Sequence, residues 1–482
     1  MSDEPRYIIL HGHFYQPPRQ SPWTGLIADE PSAAPFHNWN ERILSECYTA
    51  NAHAHTMAGH VAYIRNNYES LSFDFGPTLH SWLDNHGKTA GRAVRLADEA
   101  SRRAHDGYGN AIAQSYNHSI LPLLDARSRE LQIAWGTQDF TFRFHRSPEG
   151  MWLPECAADD DTLAAVAAAG IKFVILGADQ GRFSRDDRDA GPFLWRRDQL
   201  TLAIFRFDRE LAGAIAFSDV MSDGAKFADA LLATALTLAP GAALLVATDG
   251  ETYGHHKRHG AAELARTLSI LEDRDDVAVT NCAAYLAAHP ATGNFQLDGA
   301  SSWSCAHGVE RWRADCGCRL DPHSSQAWRA PFLDAMRFVK HHADSIYDRF
   351  APELTADAAL ALHNSATLFA DPNPAALEVF GHTHKLRDAD TRDRLVRLIE
   401  MQRAAHAALT SCAWFFDDFG GLEGRIVLRN ASRAVELAAE LSPSIEHELL
   451  QQLREIRSNR REIGDSATLY LSLKTREARG RV

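Results

Sequence analysis

The stretch YIILHGHFYQ, residues 7–16, has the pattern of a buried parallel strand that ends in polar residues. Strands of a parallel sheet are buried on both faces, so they consist of continuous apolar runs such as YIIL. His11, His13 and Gln16 follow this run directly. Since the carboxyl ends of such strands carry function in parallel barrels, the stretch predicts a strand that leads into a functional site.

Seven further apolar runs of strand length follow within the first 280 residues. They are LSFDF (71–75), IAQSY (112–116), GMWL (150–153), KFVIL (172–176), LAIFRF (202–207), ALLVAT (243–248) and VAVT (277–280). Helical patterns lie between them, for example at 155–169, ahead of Gly170 as a C-cap candidate, and at 223–238, where Asp223 is a possible N-cap. Strands that alternate with helices predict parallel βαβ units, and seven or eight units in one run favour a closed α/β barrel.

From about residue 290 onward the pattern changes and strand signals almost vanish. The apolar residues follow helical spacing at 324–350, 355–370, 387–410 and 430–458. We therefore predict a barrel domain at residues 1–290 and a mainly α-helical domain at residues 291–482, with the boundary inside 289–305.

Composition narrows the possible partners and locations. The 482 residues carry 50 Lys+Arg and 63 Asp+Glu, a net charge of −13, which disfavours binding to nucleic acid or an anionic membrane. Seven cysteines form an odd and sparse set, unlike a secreted disulfide framework. The beginning, MSDEPRYIIL, lacks the basic segment of a signal peptide, and no apolar stretch reaches the roughly 20 residues that span a bilayer. We expect a cytoplasmic protein, and the sequence does not indicate its oligomeric state.

Polar side chains also follow the later strand-like runs. His118 comes after 112–116, Glu155 after 150–153, and Asp249 and Glu251 after 243–248. Imidazoles, carboxylates and neighbouring aromatic residues together are typical of a carbohydrate site. Glycoside hydrolysis needs two carboxyl groups, and Glu155 and Asp249 can supply them from different strands. Barrels with other chemistries also place acids at strand ends, so these residues alone leave the reaction open.

An ordered set of motifs resembles glycoside hydrolase family 57, a family of retaining enzymes that act mainly on α-glucans. The motifs are HGHFYQPP (11–18), LSFDFGPTL (71–79), SYNHSILPLL (115–124), PEGMWLPECA (148–157), ATDGETYGHH (247–256), SSWSCAHGVERW (301–312) and SCAWFFDD (411–418). The resemblance implies an incomplete seven-stranded (β/α) barrel, followed by a helical domain that completes the substrate cleft. It implies no cofactor and an α-glucan as the partner.

The resemblance also implies roles for individual residues. Glu155 would be the nucleophile and Asp249 the general acid/base of a double displacement on α-1,4-linked glucans. Glu251 is a candidate for tuning the pKa of Asp249, because a nearby negative charge raises the pKa of a carboxyl group. The residues expected in substrate binding are His11, His13, His118, Trp152, Trp303 and Trp414.

Several other functions remain open at this level. WLPEC and SSW resemble the 1,4-α-glucan branching enzymes of the family, whereas DGETYGHH departs from their pattern, so branching and 4-α-glucanotransferase activity stand beside hydrolysis. A metal-dependent enzyme similar to a polysaccharide deacetylase or an α-mannosidase would use His11, His13 and an aspartate as ligands. A non-catalytic glycan-binding protein is a further alternative.

A group of possible metal ligands lies beyond the strand-like runs. Cys305, His307, Cys316 and Cys318 offer three thiols and an imidazole within fourteen residues, enough for a tetrahedral zinc site. Their spacing matches no recognised zinc ribbon or finger. We therefore assign no metal and expect reduced thiols in a loop.

Overall fold

A computed structural model describes residues 4–58, 61–184 and 190–480 of the chain. Residues 1–3 and 481–482, the outer ends of the two predicted domains, lie outside the described residues. Across the described ranges, no helix combines the length and the apolar character needed to cross a membrane.

The described part of the chain contains thirteen β-strands, numbered in chain order. They are β1 (Arg6–Phe14), β2 (Ala54–Ala58), β3 (Val61–Arg65), β4 (Ser72–Phe75), β5 (Ala111–Gln114), β6 (Gly150–Trp152), β7 (Phe173–Gly177), β8 (Gly181–Phe183), β9 (Phe193–Arg197), β10 (Leu200–Phe207), β11 (Ala243–Asp249), β12 (Val277–Val279) and β13 (Gly293–Leu297).

Seven of these strands form a parallel sheet in the order β11-β1-β4-β5-β6-β7-β10. In this sheet β1 lies between β11 and β4, and His13 stands opposite both Asp249 and Asp74. Among the described residues no ladder joins the end strands β10 and β11, although the Asp208 amide donates to the Leu245 carbonyl at 2.7 Å. The predicted incomplete seven-stranded barrel is confirmed.

All eight predicted runs coincide with strands, and the eighth, β12, pairs with the beginning of β1 outside the seven. The strands that the pattern does not predict are short or belong to edges. They are the antiparallel hairpin β2-β3 and the strands β9, β13 and β8, which extend the sheet beyond β10. In β13, Gly293–Leu297, buried and exposed residues alternate, so it lacks the continuous apolar run of the barrel strands.

The described residues also contain nineteen α-helices, numbered in chain order. They are α1 (Trp39–Ile43), α2 (Thr49–Ala52), α3 (Pro77–His86), α4 (Lys88–Ala104), α5 (Ala126–Phe144), α6 (Asp160–Ala168), α7 (Arg209–Phe217), α8 (Gly224–Ala235), α9 (Gly260–Glu272), α10 (Cys282–Ala288), α11 (Arg329–Phe350), α12 (Ala358–His363), α13 (Ala366–Ala370), α14 (Pro374–Thr383), α15 (Ala389–Ala407), α16 (Cys412–Phe415), α17 (Leu422–Ala438), α18 (Ile445–Arg454) and α19 (Ser466–Gly480).

The two helices predicted between strands are present, with one changed boundary. In α8 the Asp223 side chain caps the amino terminus by accepting from the Ala225 and Lys226 amides. The other helix, α6, begins at Asp160 and not at Glu155, because Pro154–Cys156 form a separate turn. It ends just before Gly170, whose φ of +83° is the left-handed conformation that terminates many helices.

The chain divides into two compact units that are not contiguous in sequence. The barrel unit comprises Met1–Gln16, Asp29–Gln114 and Phe140–Trp303, and the helical unit comprises Pro17–Ala28, Ser115–Asp139 and Ser304–Val482. The predicted domains were contiguous, with a boundary near residue 290. The difference arises because two segments that follow β1 and β5 in the sequence, 17–28 and 115–139, belong to the helical unit. Hydrophobic periodicity does not reveal which hydrophobic core a segment joins.

Candidate active site

The strands β1 and β4 contribute a hydrogen-bonded group of two histidines and an aspartate to the site. His11 and His13 lie two residues apart on β1, so their side chains point to the same face of the strand. The Asp74 carboxylate on β4 accepts from His11 Nε2 at 3.1 Å and from His13 Nδ1 at 2.8 Å. Asp74 was not among the predicted site residues, although it is the single acid in the buried run LSFDF.

Burial decides the charges in this group. His11 and Asp74 are fully buried, and His13 is 5% exposed. Desolvation lowers the pKa of His11 and lowers that of His13 to about 3, so both imidazoles are neutral at pH 7. Desolvation also raises the pKa of Asp74 to about 7, against the opposing effect of its hydrogen bond with His11.

Trp152 packs directly against these two histidines. Its ring centroid lies 5.1 Å from that of His11 and 4.8 Å from that of His13, with nearly parallel planes. The indole is fully buried, and its nitrogen has no hydrogen-bond partner among the described residues. Trp152 and His11 were predicted to bind substrate, and their burial suits them to holding His13 in place.

Glu155 follows β6 in a tight turn with an unusual backbone. Its φ of +57° and ψ of +22° are the left-handed conformation, which costs a residue other than glycine on the order of 1–3 kcal/mol and is concentrated at functional sites. Two hydrogen bonds from Trp303 hold it there. The Trp303 amide donates to the Glu155 carbonyl, and the indole Nε1 donates to Oε2, each at 3.0 Å.

Asp249 ends β11, opposite His13 in the register of the sheet. Its side chain is open to solvent, yet protein atoms surround it closely enough to remove much of its hydration. This desolvation, followed by the negative charges of Glu155 and Asp74, raises the pKa of Asp249 to about 7. The two predicted catalytic carboxyl groups therefore interact electrostatically.

Glu251 lies two residues further on and is buried. Its Oε1 accepts from the Tyr48 hydroxyl at 2.7 Å and from the Tyr15 amide at 3.2 Å. Desolvation raises the pKa of Glu251 to about 8, in spite of these bonds and with a contribution from the charge of Asp249. Glu251 is therefore mostly protonated at pH 7, and the negative charges near Asp249 come from Glu155 and Asp74. The role of Glu251 in tuning the pKa of Asp249 stays a prediction.

One further polar residue of this site did not stand out in the sequence. Gln114 ends β5 and is 1% exposed, and neither atom of its amide group has a hydrogen-bond partner among the described residues. The absence of a side chain at Gly76 leaves room for the Gln114 amide, because a Cβ at Gly76 would lie 2.7 Å from the Tyr15 ring and 2.8 Å from Gln114 Oε1. A buried amide of this kind can bond to a substrate hydroxyl or a water.

Two of the predicted substrate-binding residues, His118 and Trp414, belong to the helical unit, whereas the others belong to the barrel unit. His118 has a φ of +55°, and its Nδ1 shares a hydrogen bond of 2.7 Å with Ser411 Oγ. The Trp414 indole is 2% exposed and donates to the Arg329 carbonyl at 3.0 Å. Ser411 and Trp414 both line a cavity of about 350 Å³ within the helical unit.

Sequence comparison identifies the family. A family model described as glycosyl hydrolase family 57 matches residues 53–296, about half of the chain. The chain belongs to glycosyl hydrolase family 57. Membership places this family 57 protein among glycosidases and transglycosylases, and it implies a glycan substrate. Residues 325–478 match a second model, described as a domain of unknown function, DUF3536.

Solved structures share the fold of this family 57 protein at low sequence identity. An exo-type maltose-forming amylase from Pyrococcus sp. ST04 has a TM-score of 0.71 at 15% identity, over 93% of this chain and 83% of that chain. A branching enzyme from Pyrococcus horikoshii has a TM-score of 0.58 at 13% identity, over 98% and 94%. A 4-α-glucanotransferase from Thermococcus litoralis has a TM-score of 0.56 at 14% identity, over 90% and 60%. Comparison with curated protein sequences gives no match.

Proposed function

We propose that this family 57 protein is a retaining glycoside hydrolase or transglycosylase that acts on α-1,4-linked glucans by double displacement. The observation that carries the proposal is the pair of carboxyl groups at the ends of two barrel strands. Glu155 is held by the Trp303 indole, and Asp249 has a pKa raised to about 7 by its surroundings, including Glu155 itself. The names of the amylase, branching enzyme and glucanotransferase that share the fold support an α-glucan as the substrate.

In the first step Glu155 attacks the anomeric carbon while Asp249 gives its proton to the departing glycosidic oxygen. With a pKa of about 7, Asp249 is about half protonated at pH 7 and can act as the acid. In the second step the Asp249 carboxylate takes a proton from the incoming hydroxyl, which attacks the anomeric carbon and frees Glu155. Water as the acceptor gives hydrolysis, and a sugar hydroxyl gives transfer.

The remaining residues bind and orient the sugar in this proposal. His13 is neutral and fixed by Asp74, so its ring can present a hydrogen bond to a hydroxyl group in a constant orientation. Trp303 contributes both its ring face and its bond to Glu155. His118 and Trp414 stay predictions of sugar contact, and a cytoplasmic location stays a prediction from the cysteine content.

The roles of the two carboxyl groups are tested with Glu155→Ala and Asp249→Ala on an α-glucosyl or α-maltosyl fluoride in the presence of azide. Azide that replaces the nucleophile gives the β-glycosyl azide, whereas azide that attacks the glycosyl-enzyme of the Asp249 variant gives the α-glycosyl azide. Glu99→Ala, at an exposed position of α4, is the matched control and should keep full activity. Retained activity in Glu155→Ala without azide would overturn the assignment.

Product analysis separates the possible outcomes of the second step. Incubation with amylose raises the number of reducing ends if water is the acceptor, and it forms α-1,6 linkages if the enzyme branches. A redistribution of maltooligosaccharide lengths with constant reducing ends indicates 4-α-glucan transfer. Binding of amylose without any product, with Glu155→Gln indistinguishable from the wild type, would instead favour a non-catalytic glycan-binding protein.

A further inference from the structure

Four potential metal ligands converge at the beginning of the last segment of the helical unit. They are Cys305, His307, Cys316 and Cys318, and their ligand atoms all lie within 4.8 Å of one another. The Cys305 sulfur is 3.9 Å from that of Cys316 and 3.8 Å from that of Cys318. The Cys318 sulfur is 3.6 Å from His307 Nδ1.

The three shortest of these distances match the edges of a coordination tetrahedron. With zinc bonds of about 2.3 Å to sulfur and about 2.0–2.1 Å to nitrogen, tetrahedral geometry places two sulfurs about 3.8 Å apart and a sulfur and a nitrogen about 3.6 Å apart. We propose that Cys305, His307, Cys316 and Cys318 bind one zinc ion. The sequence alone favoured reduced thiols in a loop, because the spacing matches no recognised zinc motif.

The backbone around the four side chains supports the same geometry. Gly308 and Gly317 have φ values of +79° and +86°, so each ligand pair sits beside a tight turn that favours glycine. The backbone N–H groups of His307 and Arg311 interact with the Cys305 sulfur, and that of Ala306 interacts with the Cys318 sulfur. Such donors stabilise thiolate ligands and orient them toward a metal.

A buried positive charge next to the group matches the charge that a zinc complex would have. Zinc with three thiolates and a neutral imidazole carries a net charge of −1. Arg329 is fully buried, its guanidinium donates to the Cys318 carbonyl at 3.1 Å, and its charge interacts with the sulfurs of Cys316 and Cys318. Gln326 donates to the same carbonyl at 2.9 Å, which holds the second ligand pair in place.

The site has the form of a structural zinc centre. Four protein ligands close the coordination sphere, whereas catalytic zinc keeps an open position for water or substrate. In residues 304–328, all of which are described, the regular structure is the short turn Glu310–Trp312. Since this segment has few backbone hydrogen bonds of its own, zinc would supply much of its stability.

Elemental analysis of the full chain, purified without a polyhistidine tag and without added metal, tests the proposal. We expect about one zinc per chain, released when an organomercurial blocks the thiols and detected with a chromogenic zinc indicator. The variant Cys316→Ser/Cys318→Ser should lose the zinc, and Cys412→Ser, a half-buried cysteine elsewhere in the helical unit, should keep it. Removal should lower the Tm, and addition of zinc sulfate should restore it.

A second variant keeps the test decisive if the double variant fails to fold. His307 is exposed, so His307→Ala should fold and bind zinc more weakly in a competition with a chelator. Cobalt(II) in the wild-type protein should show the absorption of a tetrahedral thiolate site. Absence of metal together with a disulfide among the three cysteines, full zinc content in the double variant, or iron in place of zinc would each overturn the proposal.

Discussion

The hydrogen bond from the Trp303 indole to Glu155 Oε2 makes it possible to test which of two roles this tryptophan has, stacking on sugar or holding Glu155 in place. Trp303→Phe keeps an aromatic ring that can stack on glucose and make an edge-to-face contact with Trp152, whose centroid lies 5.1 Å away, but it removes the N–H donor. A tryptophan that acts through stacking alone would tolerate this change. A tryptophan that holds the nucleophile would not.

The expected loss follows from the single bond that is removed. A hydrogen bond of 3.0 Å to an ionised carboxylate is worth about 1.5–3 kcal/mol, because the acceptor is charged. At about 1.4 kcal/mol per factor of ten, the loss in kcat/KM is roughly 10- to 150-fold. The decrease should be in kcat, because the bond orients the proposed nucleophile and the variant retains the ring proposed to contact sugar.

The assay is steady-state hydrolysis of an α-maltosyl fluoride or of maltoheptaose, with thermal unfolding measured in parallel. Trp152→Phe is the matched control, since it deletes the same atoms from an indole whose nitrogen has no partner among the described residues. We expect Trp152→Phe to lower the Tm and to leave the kcat close to that of the wild type. A kcat of Trp303→Phe equal to that of the wild type would refute the positioning role, and equal losses in both variants would assign the effect to ring size.

Four other predictions concern the ionisable groups of the barrel unit. Because Asp249 must be protonated to act as the acid, kcat/KM should fall as pH rises through about 7, and a profile flat up to pH 9 would contradict this role. The folded-state pKa of Asp249 lies above its unfolded value of about 3.8, so ionisation costs stability as pH rises between these values; Asp249→Asn should therefore raise the Tm more near pH 8 than near pH 5. The folded-state pKa of Glu251, about 8, lies above its unfolded value of about 4.5, so Glu251→Gln should change the Tm least near pH 4 and raise it increasingly up to about pH 8, whereas an equal loss at pH 4 and pH 8 would show that the carboxyl group itself is required. Arg146→Met breaks a buried pair in which two guanidinium nitrogens donate to Asp98 at 2.9 Å each, so urea unfolding should show a loss of about 3–5 kcal/mol, whereas Arg197→Met, which removes an exposed pair, should cost far less.

The barrel and the order of its functional motifs can be predicted from the sequence. Strands buried on both faces must be continuously apolar, so runs such as YIIL and ALLVAT predict strands without any knowledge of their neighbours. The residue after each run then lies at the carboxyl end of its strand. Glu155 and Asp249 could be selected on this basis, and the family resemblance of their motifs gave each a proposed role.

The partners of these residues depend on contacts that local patterns do not contain. Asp74 lies 61 residues from His13, and Trp303 lies 148 residues from Glu155, yet each pair shares a hydrogen bond. The raised pKa of Asp249 likewise depends on desolvation by the surrounding protein and then on the charges of Glu155 and Asp74, which come from other strands. Only the register of the sheet brings these charges together.

The same distinction applies to the cysteines and to the two compact units. The sequence shows three thiols and an imidazole near one another, but their spacing alone favoured a loop of reduced thiols. Tertiary structure brings the four ligand atoms within 4.8 Å of one another, as the corners of a coordination tetrahedron require, because the turns at Gly308 and Gly317 fold the two ligand pairs together. Hydrophobic periodicity determines which segments are helices and strands, whereas packing of side chains distant in sequence determines which unit each segment joins.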